Sequence, residues 1–193
     1  MKLSPRGEVL ARIGGSEAGF RDLGHVAVDG SGATYVSEAG LNRLQKFSAE
    51  GARVAVWQLP KGAGEGEWYL PQSIALSGGN IVIEDWGNHR IVVQSSDGTR
   101  RLSFGDAKQL ESTAGLCVDR DGNIYVADEK AHAVKKFDPQ GKLLSVISNS
   151  TGNRLFNEGP SSIAVDANGD LYAADGLSVV KFSATGMLLQ RWH

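Results

Sequence analysis

Residues 112–147 read STAGLCVDRDGNIYVADEKAHAVKKFDPQGKLLSVI, and the fold follows from how this stretch is punctuated. The apolar run from Gly115 ends at Asp119 and turns through Arg120-Asp121-Gly122-Asn123 into a second run, Ile124 to Ala127. Asp-Gly between two apolar runs is a strong short-range hairpin signal. A polar connection, Asp128 to Ala131, leads to Ala133 to Phe137, which holds Val134 and Phe137 among lysines. Asp138-Pro139-Gln140-Gly141 follows, with proline supplying a fixed φ and glycine a positive one, so the chain reverses again. Leu143 to Ile147 closes a unit of four short strands.

The unit returns along almost the whole chain. Its first strand and hairpin recur as His25 to Gly32, Ser73 to Gly79, Gly115 to Gly122 and Ser162 to Gly169; its second strand recurs as Thr34 to Glu38, Ile81 to Asp85, Ile124 to Asp128 and Leu171 to Asp175. The third strand reaches Phe47, Gln94, Phe137 and Phe182, each four residues before a turn glycine, at Gly51, Gly98, Gly141 and Gly186. Those glycines are spaced by 47, 43 and 45 residues. A period of this length marks a repeat fold in which each unit is one supersecondary element. Residues 1–14 align with the end of such a unit, Leu3 taking the phenylalanine place, Gly7 the turn and Val9, Leu10 and Ile13 a fourth strand; Met187 to Trp192 is a fourth strand as well.

Composition bounds the function. The 193 residues carry 41% hydrophobic and 22% charged side chains, an ordinary globular balance, and the 25 glycines suit a chain of many tight turns. No apolar run approaches the length of a membrane span, and no charged-then-apolar leader opens the sequence. A formal net charge of −2 provides no electrostatic footprint for nucleic acid or anionic lipid. The single cysteine, Cys117, stands between Leu116 and Val118 and reads as a small core side chain. Gly62-Ala63-Gly64-Glu65-Gly66-Glu67 has no following Lys-Ser/Thr or helix, so it reads as a flexible surface loop and not a phosphate cradle. No serine elbow, His-Glu-x-x-His or CxxC pattern occurs, and no catalytic residue, metal ligand set or cofactor is assigned.

Pro160-Ser161-Ser162-Ile163-Ala164-Val165-Asp166, the later Gly169-Asp170-Leu171-Tyr172-Ala173-Ala174-Asp175, the Asn88-His89-Arg90 of the second unit and Lys181-Phe182 ahead of Gly186 resemble the NHL repeat, one blade of a β-propeller. The second unit alone spells the Asn-His-Arg signature; elsewhere the place reads Leu41-Asn42-Arg43, Ala131-His132-Ala133, and a connection two residues shorter at Gly176 to Ser178. The resemblance implies an all-β protein of four-stranded antiparallel blades, about four in number, at about 21–57, 71–104, 112–147 and 160–192 within residues 15–193, with residues 1–14 as the last strand of a preceding blade. Propellers of this family usually have about six blades. The expectation is therefore an incomplete or open propeller, an arc that self-associates or belongs to a longer chain.

Blade geometry sorts the loops. In an antiparallel four-stranded blade, the second-to-third loops and the inter-blade connections share one face, and the hairpins and four-residue turns share the other. The first face is expected to bind, since loops on a rigid scaffold carry most recognition. Its candidate residues are Trp86, Asn88, His89, Arg90, Trp68, Tyr69, Glu129 and His132. Trp86, between Asp85 and Gly87 at a loop tip, is the most pointed of these. Arg43 and Arg90 suit several carbonyls at once and are expected to tie loops down. Asp85, Asp128 and Asp175 recur beside turns, where a short carboxylate accepts backbone N–H groups; Asp29, Asp119 and Asp166 do the same in the hairpins. His89 and His132 fall in equivalent loops, but two imidazoles without a third do not make a metal site.

The expected function is a non-catalytic module that presents these loops to a protein or peptide partner. The alternative is a segment of a metal-dependent lyase or lactone hydrolase whose catalytic residues lie on other blades. The acidic loop face disfavours RNA.

Overall fold

The computed structural model describes residues 1–14, 19–99, 101–149 and 154–193. Its strands pair as the repeat requires. Blade 1 holds β3 (Leu23–Val28), β4 (Thr34–Glu38), β5 (Arg43–Phe47) and β6 (Arg53–Gln58). Blade 2 holds β7 (Pro71–Ser77), β8 (Asn80–Asp85), β9 (Arg90–Ser95) and β10 (Arg101–Phe104). Blade 3 holds β11 (Thr113–Val118), β12 (Ile124–Asp128), β13 (Ala133–Phe137) and β14 (Leu143–Ser148), and blade 4 holds β15 (Pro160–Val165), β16 (Leu171–Asp175), β17 (Ser178–Phe182) and β18 (Leu188–Trp192). All four are antiparallel meanders, and a two-stranded sheet of β1 (Lys2–Leu3) and β2 (Val9–Ala11) precedes them. Helix is confined, among the described residues, to single 3-10 turns at Ala39–Leu41 and Trp86–Asn88.

First strands are the inner ones: β3 packs beside β7, β7 beside β11 and β11 beside β15. Each carries an irregularity in its register, as between Thr113 and Gly115 and between Pro160 and Ser162. At the bulge of β3, the Ser37 hydroxyl accepts the His25 N–H at 2.7 Å and donates to the Gln72 carbonyl of blade 2, so the innermost strands of neighbouring blades are bonded to one another.

Side-chain alternation on each strand gives every blade two apolar faces, one for each neighbour. Blade 1 offers Ala27, Tyr35, Leu44 and Trp57 to Ile74, Ile81, Ile83 and Val92 of blade 2. Blade 2 offers Ala75, Val82, Ile91 and Phe104 to blade 3, and blade 3 offers Cys117, Tyr125, Val134 and Ile147 to blade 4. The core is thus three interfaces built on one plan. Into each dips one large apolar side chain from the inter-blade connection: Trp68, Leu110 and Phe156 are all fully buried. Phe20 takes the same place against Val36 and Phe47 on the far side of blade 1.

The turn glycines of the repeat have a structural reason beyond their positive φ. Gly141 has φ +84, and a Cβ there would come 2.4 Å from the Phe104 ring of the preceding blade. Gly98 likewise lies over Trp57 and Gly186 over Ile147, so the four-residue turns of blades 2, 3 and 4 rest on the fourth strand of the blade before, while Gly51 lies over Ile13, two residues past β2.

Candidate functional site

The second strand of every blade ends in a fully buried acid, Glu38, Asp85, Asp128 or Asp175. Each accepts the backbone N–H that follows the buried plug of its inter-blade connection: Arg21 N to Glu38 at 2.8 Å, Tyr69 N to Asp85 at 2.6 Å, Glu111 N to Asp128 at 3.0 Å and Asn157 N to Asp175 at 2.8 Å. Asp175 also takes the N–H groups of Glu158 and Gly159. Burial alone would raise the carboxyl groups of Glu38, Asp128 and Asp175, since it disfavours the charged form. In Glu38, Asp128 and Asp175, however, the cation and the N–H donors outweigh it and hold each below the usual carboxylate range.

The matching cation comes from a different strand in different blades. Arg43 and Arg90 open the third strand and reach Glu38 at 2.5 Å and Asp85 at 2.7 Å. Blade 3 has Ala133 at that place, and Lys135, two residues on, reaches Asp128 at 2.6 Å. In blade 4 the place is Ser178, and Arg191 crosses from β18 to reach Asp175 at 3.0 Å and the Ser178 hydroxyl at 2.8 Å. Every one of these cations also donates to a carbonyl of the same inter-blade connection: Gly19, Ala63 and Glu67, Gln109, and Leu155 respectively. Each connection is therefore gripped by its N–H groups on one side and its carbonyls on the other.

This grip accounts for several of the residues expected to bind. Trp68 is no surface contact: it is the plug between blades 1 and 2, enclosed by Leu44, Ile74, Ile83 and Val92 because its large apolar ring gains most from leaving water there. Arg90 is spent on Asp85 and on the carbonyls of Ala63, Gly64 and Glu67. Asn88 donates to the Gly62 carbonyl and to Asp85, both at 2.8 Å. The glycine-rich loop is accordingly folded about Arg90, with Gly64 N donating to the Glu67 carboxylate at 2.7 Å, and is not a loose surface loop.

His89 and His132 hold left-handed backbone, φ 52° and 46°, as does Asn42 at the equivalent place with φ 50°. Asn42 bonds Trp68 O and Leu70 N of the next connection, and His89 Nδ1 lies 3.1 Å from Leu110 O of its own next connection. Asn42 and His89 thus fasten the loops of blades 1 and 2 to the connection that follows. His132 Nδ1 is buried with no partner among the described residues. No group of three His, Cys, Asp or Glu side chains that could hold a metal ion occurs among the described residues.

What the loop face turns outward is a different set. Trp86 is 40% exposed at the tip of blade 2, and Leu177, at the tip of blade 4, is 97% exposed. Glu129 and Lys130 are exposed at the tip of blade 3. Tyr69 is half-buried, packed against Gly87 and capped by the Lys61 ammonium 4.3 Å from its ring centre. Leu177 escaped the sequence reading; the two-residue shortening of its loop, which leaves a leucine at a tight reversal, was the available signal.

The opposite face repeats a second cluster. Asp119 Oδ1 accepts Asp121 N at 3.0 Å and Asn123 N at 2.9 Å, while Oδ2 meets Tyr125 OH at 3.3 Å and lies 3.4 Å from Lys136 Nζ. Asp29 with Tyr35 and Lys46, and Asp166 with Tyr172 and Lys181, repeat it, each ammonium standing over its tyrosine ring. Blade 2 lacks the cluster: Gly78 and Gly79 form the hairpin, and Val82 and Val93 stand in the tyrosine and lysine places.

The NHL repeat model matches residues 69–93 and 114–137. Peptidyl-alpha-hydroxyglycine alpha-amidating lyase 1 of Drosophila melanogaster is 33% identical over 88 residues, which cover 40% of this chain and 16% of that protein. NHL-repeat-containing protein 4 of Homo sapiens is 28% identical over 98 residues, covering 51% of this chain and 75% of that one. Among solved structures, a streptogramin B lyase superposes with a TM-score of 0.70 at 18% identity, covering 88% of this chain and 54% of the lyase. Virginiamycin B lyase from Staphylococcus aureus superposes with a TM-score of 0.70 at 14% identity, over 88% of this chain and 55% of that one. At these identities the superpositions speak to the fold alone, and the chain spans about half of either structure.

Proposed function

Because this chain is a run of NHL repeats folded as propeller blades, we propose that it is a binding module whose loop face takes a protein or peptide partner. The observation that carries this reading is a division of labour on that face. The recurring polar groups turn inward and fasten the connections, whereas the groups left outward include Trp86 and a wholly exposed Leu177. Large apolar side chains held at rigid tips are suited to burial against a partner, and aromatic anchors dominate such interfaces. Tyr69, Glu129 and the neighbouring Lys130 supply the polar rim, with His132 at the base of the blade 3 tip.

Selection of peptides from a random display library tests this. Selected peptides are expected to bind at least about tenfold more weakly to Trp86→Ala or Leu177→Ser, a loss of about 1.4 kcal/mol, and equally well to Gln140→Ala on the opposite face. Binders that ignore the first two substitutions would place recognition elsewhere.

A second reading has one support, the lyase names of the matched relatives. On that reading the chain is part of a propeller lyase, with catalytic groups contributed from outside these four blades. Turnover of a peptide ending in α-hydroxyglycine by the longest natural form of the protein, with stoichiometric bound metal, would favour it over the first.

A further inference from the structure

Blade 4 ends in a face that copies one already in use. By strand register, Ala164, Tyr172, Val179 and Trp192 of blade 4 occupy the places of Ala27, Tyr35, Leu44 and Trp57 of blade 1. The likeness extends to geometry: Tyr35 and Trp57 stack with centroids 6.2 Å apart and planes 9° apart, and Tyr172 and Trp192 stack at 6.3 Å and 13°. In blade 1 this surface seats blade 2 and Tyr35 is buried; in blade 4 it is open, with Val179 and Trp192 each 41% exposed.

The complementary surface is open at the other end. Val26, Val28, Thr34 and Val36 hold the places of Ile74, Leu76, Ile81 and Ile83, which receive the Tyr35–Trp57 face. They line an apolar groove of about 410 Å³ whose floor includes Phe20, the equivalent of the Trp68 plug. Val26 is 55% exposed, although its counterpart Ile74 is fully buried. Met1, Lys2 and Ile13 complete the lining; they belong to or flank β1 and β2, strands of only two and three residues.

From this match we propose that the chain docks head to tail with a second copy of itself, blade 4 of one copy seating on blade 1 of the other. Tyr172 and Val179 then cover Val26, Val28 and Val36 as Tyr35 and Leu44 cover Ile74, Leu76 and Ile83. Trp192 passes beneath the Gly51 turn as Trp57 passes beneath Gly98, and to do so it displaces Ile13 and the β1–β2 pair. A complete blade buries more apolar surface than this short pair, which leaves Leu3, Val9 and Leu10 exposed. A heterologous contact of this kind closes into a ring when its rotation allows.

Sedimentation equilibrium of the full chain over about 1–100 µM tests the docking. Association is expected, and Val26→Asp and Trp192→Asp are each expected to abolish it while leaving the β circular-dichroism spectrum intact, since both side chains are exposed in the single chain. Mixing the two variants restores one sound junction and therefore a heterodimer. Removing residues 1–13 from the wild-type chain frees the groove and tightens association at least about tenfold. A monomer at every concentration, with or without residues 1–13, overturns the proposal. So does association that is lost with Trp192→Asp but kept with Val26→Asp, which would mean two blade 4 faces meeting each other.

Discussion

Asp128 is fully buried beside a lysine that is itself largely enclosed. Removing one charge of such a pair leaves the other uncompensated, so Asp128→Asn is expected to cost about 3 kcal/mol in urea unfolding. Asp128→Asn combined with Lys135→Met should recover part of that loss, because the penalty lies in the stranded ammonium and not in the missing attraction. A double variant no better than the single one would mean that the N–H groups of Glu111 and Ser112, not the ion pair, carry the effect. Cys117 is governed by the same desolvation without a partner to offset it. Burial, with Asp119 nearby adding to it, pushes the thiol up to about 12, leaving almost no thiolate at neutral pH. Iodoacetamide at about pH 8 is expected to leave the folded protein unmodified and to add once after unfolding in urea, as read by intact mass.

Among the elements, the four-residue turns are the clearest case of sequence dictating contact. Gly7 and Gly141 have nearly the same backbone, φ +83 and +84, but a Cβ on Gly7 would meet nothing within 4 Å, whereas one on Gly141 would enter the Phe104 ring. Gly7→Ala is therefore expected to cost only the left-handed penalty of about 1 kcal/mol. Gly141→Ala should cost about 1–3 kcal/mol more, because Phe104 must be forced aside. Equal losses in thermal or urea unfolding would show that the turn does not bear on the neighbouring blade. These glycines and the period-2 strands were legible in the sequence because they recur in one register, and the second-strand acids were legible as acceptors of backbone N–H groups for the same reason. The plugs were not. Phe20, Trp68, Leu110 and Phe156 differ in identity and sit in connections of unequal length, so no spacing counted along the connections from the preceding blade aligns them, and Trp68 read as a surface aromatic. Counted backwards from the next first strand they fall three or four residues ahead of it, which is the signal that would have found them. Arg43 and Arg90 were legible as ties to several carbonyls, and they open the third strand in both blades; Lys135 and Arg191 were hidden, since they reach the equivalent carboxylates from other strand positions.

At the scale of the whole molecule, each described blade carries one such carboxylate, and this gives stability a definite dependence on acid. Glu38, Asp128 and Asp175 are held below their ordinary range when folded, despite the opposing effect of burial, by the cation and N–H groups that grip each connection. A group whose folded value is depressed contributes its full stability above its unfolded value, about 4 for these acids, and loses it as pH falls through the folded value. Unfolding free energy should therefore be nearly flat between about pH 7 and 5 and decline below about 4, as the connections are released from the blades one carboxylate at a time. The opposite face sets the other boundary. Lys136 and Lys181 are raised above the ordinary lysine range, Lys136 by Tyr125 and Asp119 against the pull of burial, Lys181 chiefly by Asp170. Their contribution is complete below about 10.4 and fades only as pH rises through the higher folded values. The specific test of the acid limb is the slope of urea midpoint against pH for the wild type and for Asp128→Asn combined with Lys135→Met. One of the depressed carboxylates is then gone, so the slope between about pH 4 and 2.5 must become shallower in the double variant. Parallel slopes would mean that acid acts through general charge repulsion, and that the buried acids are not what fastens one blade to the next.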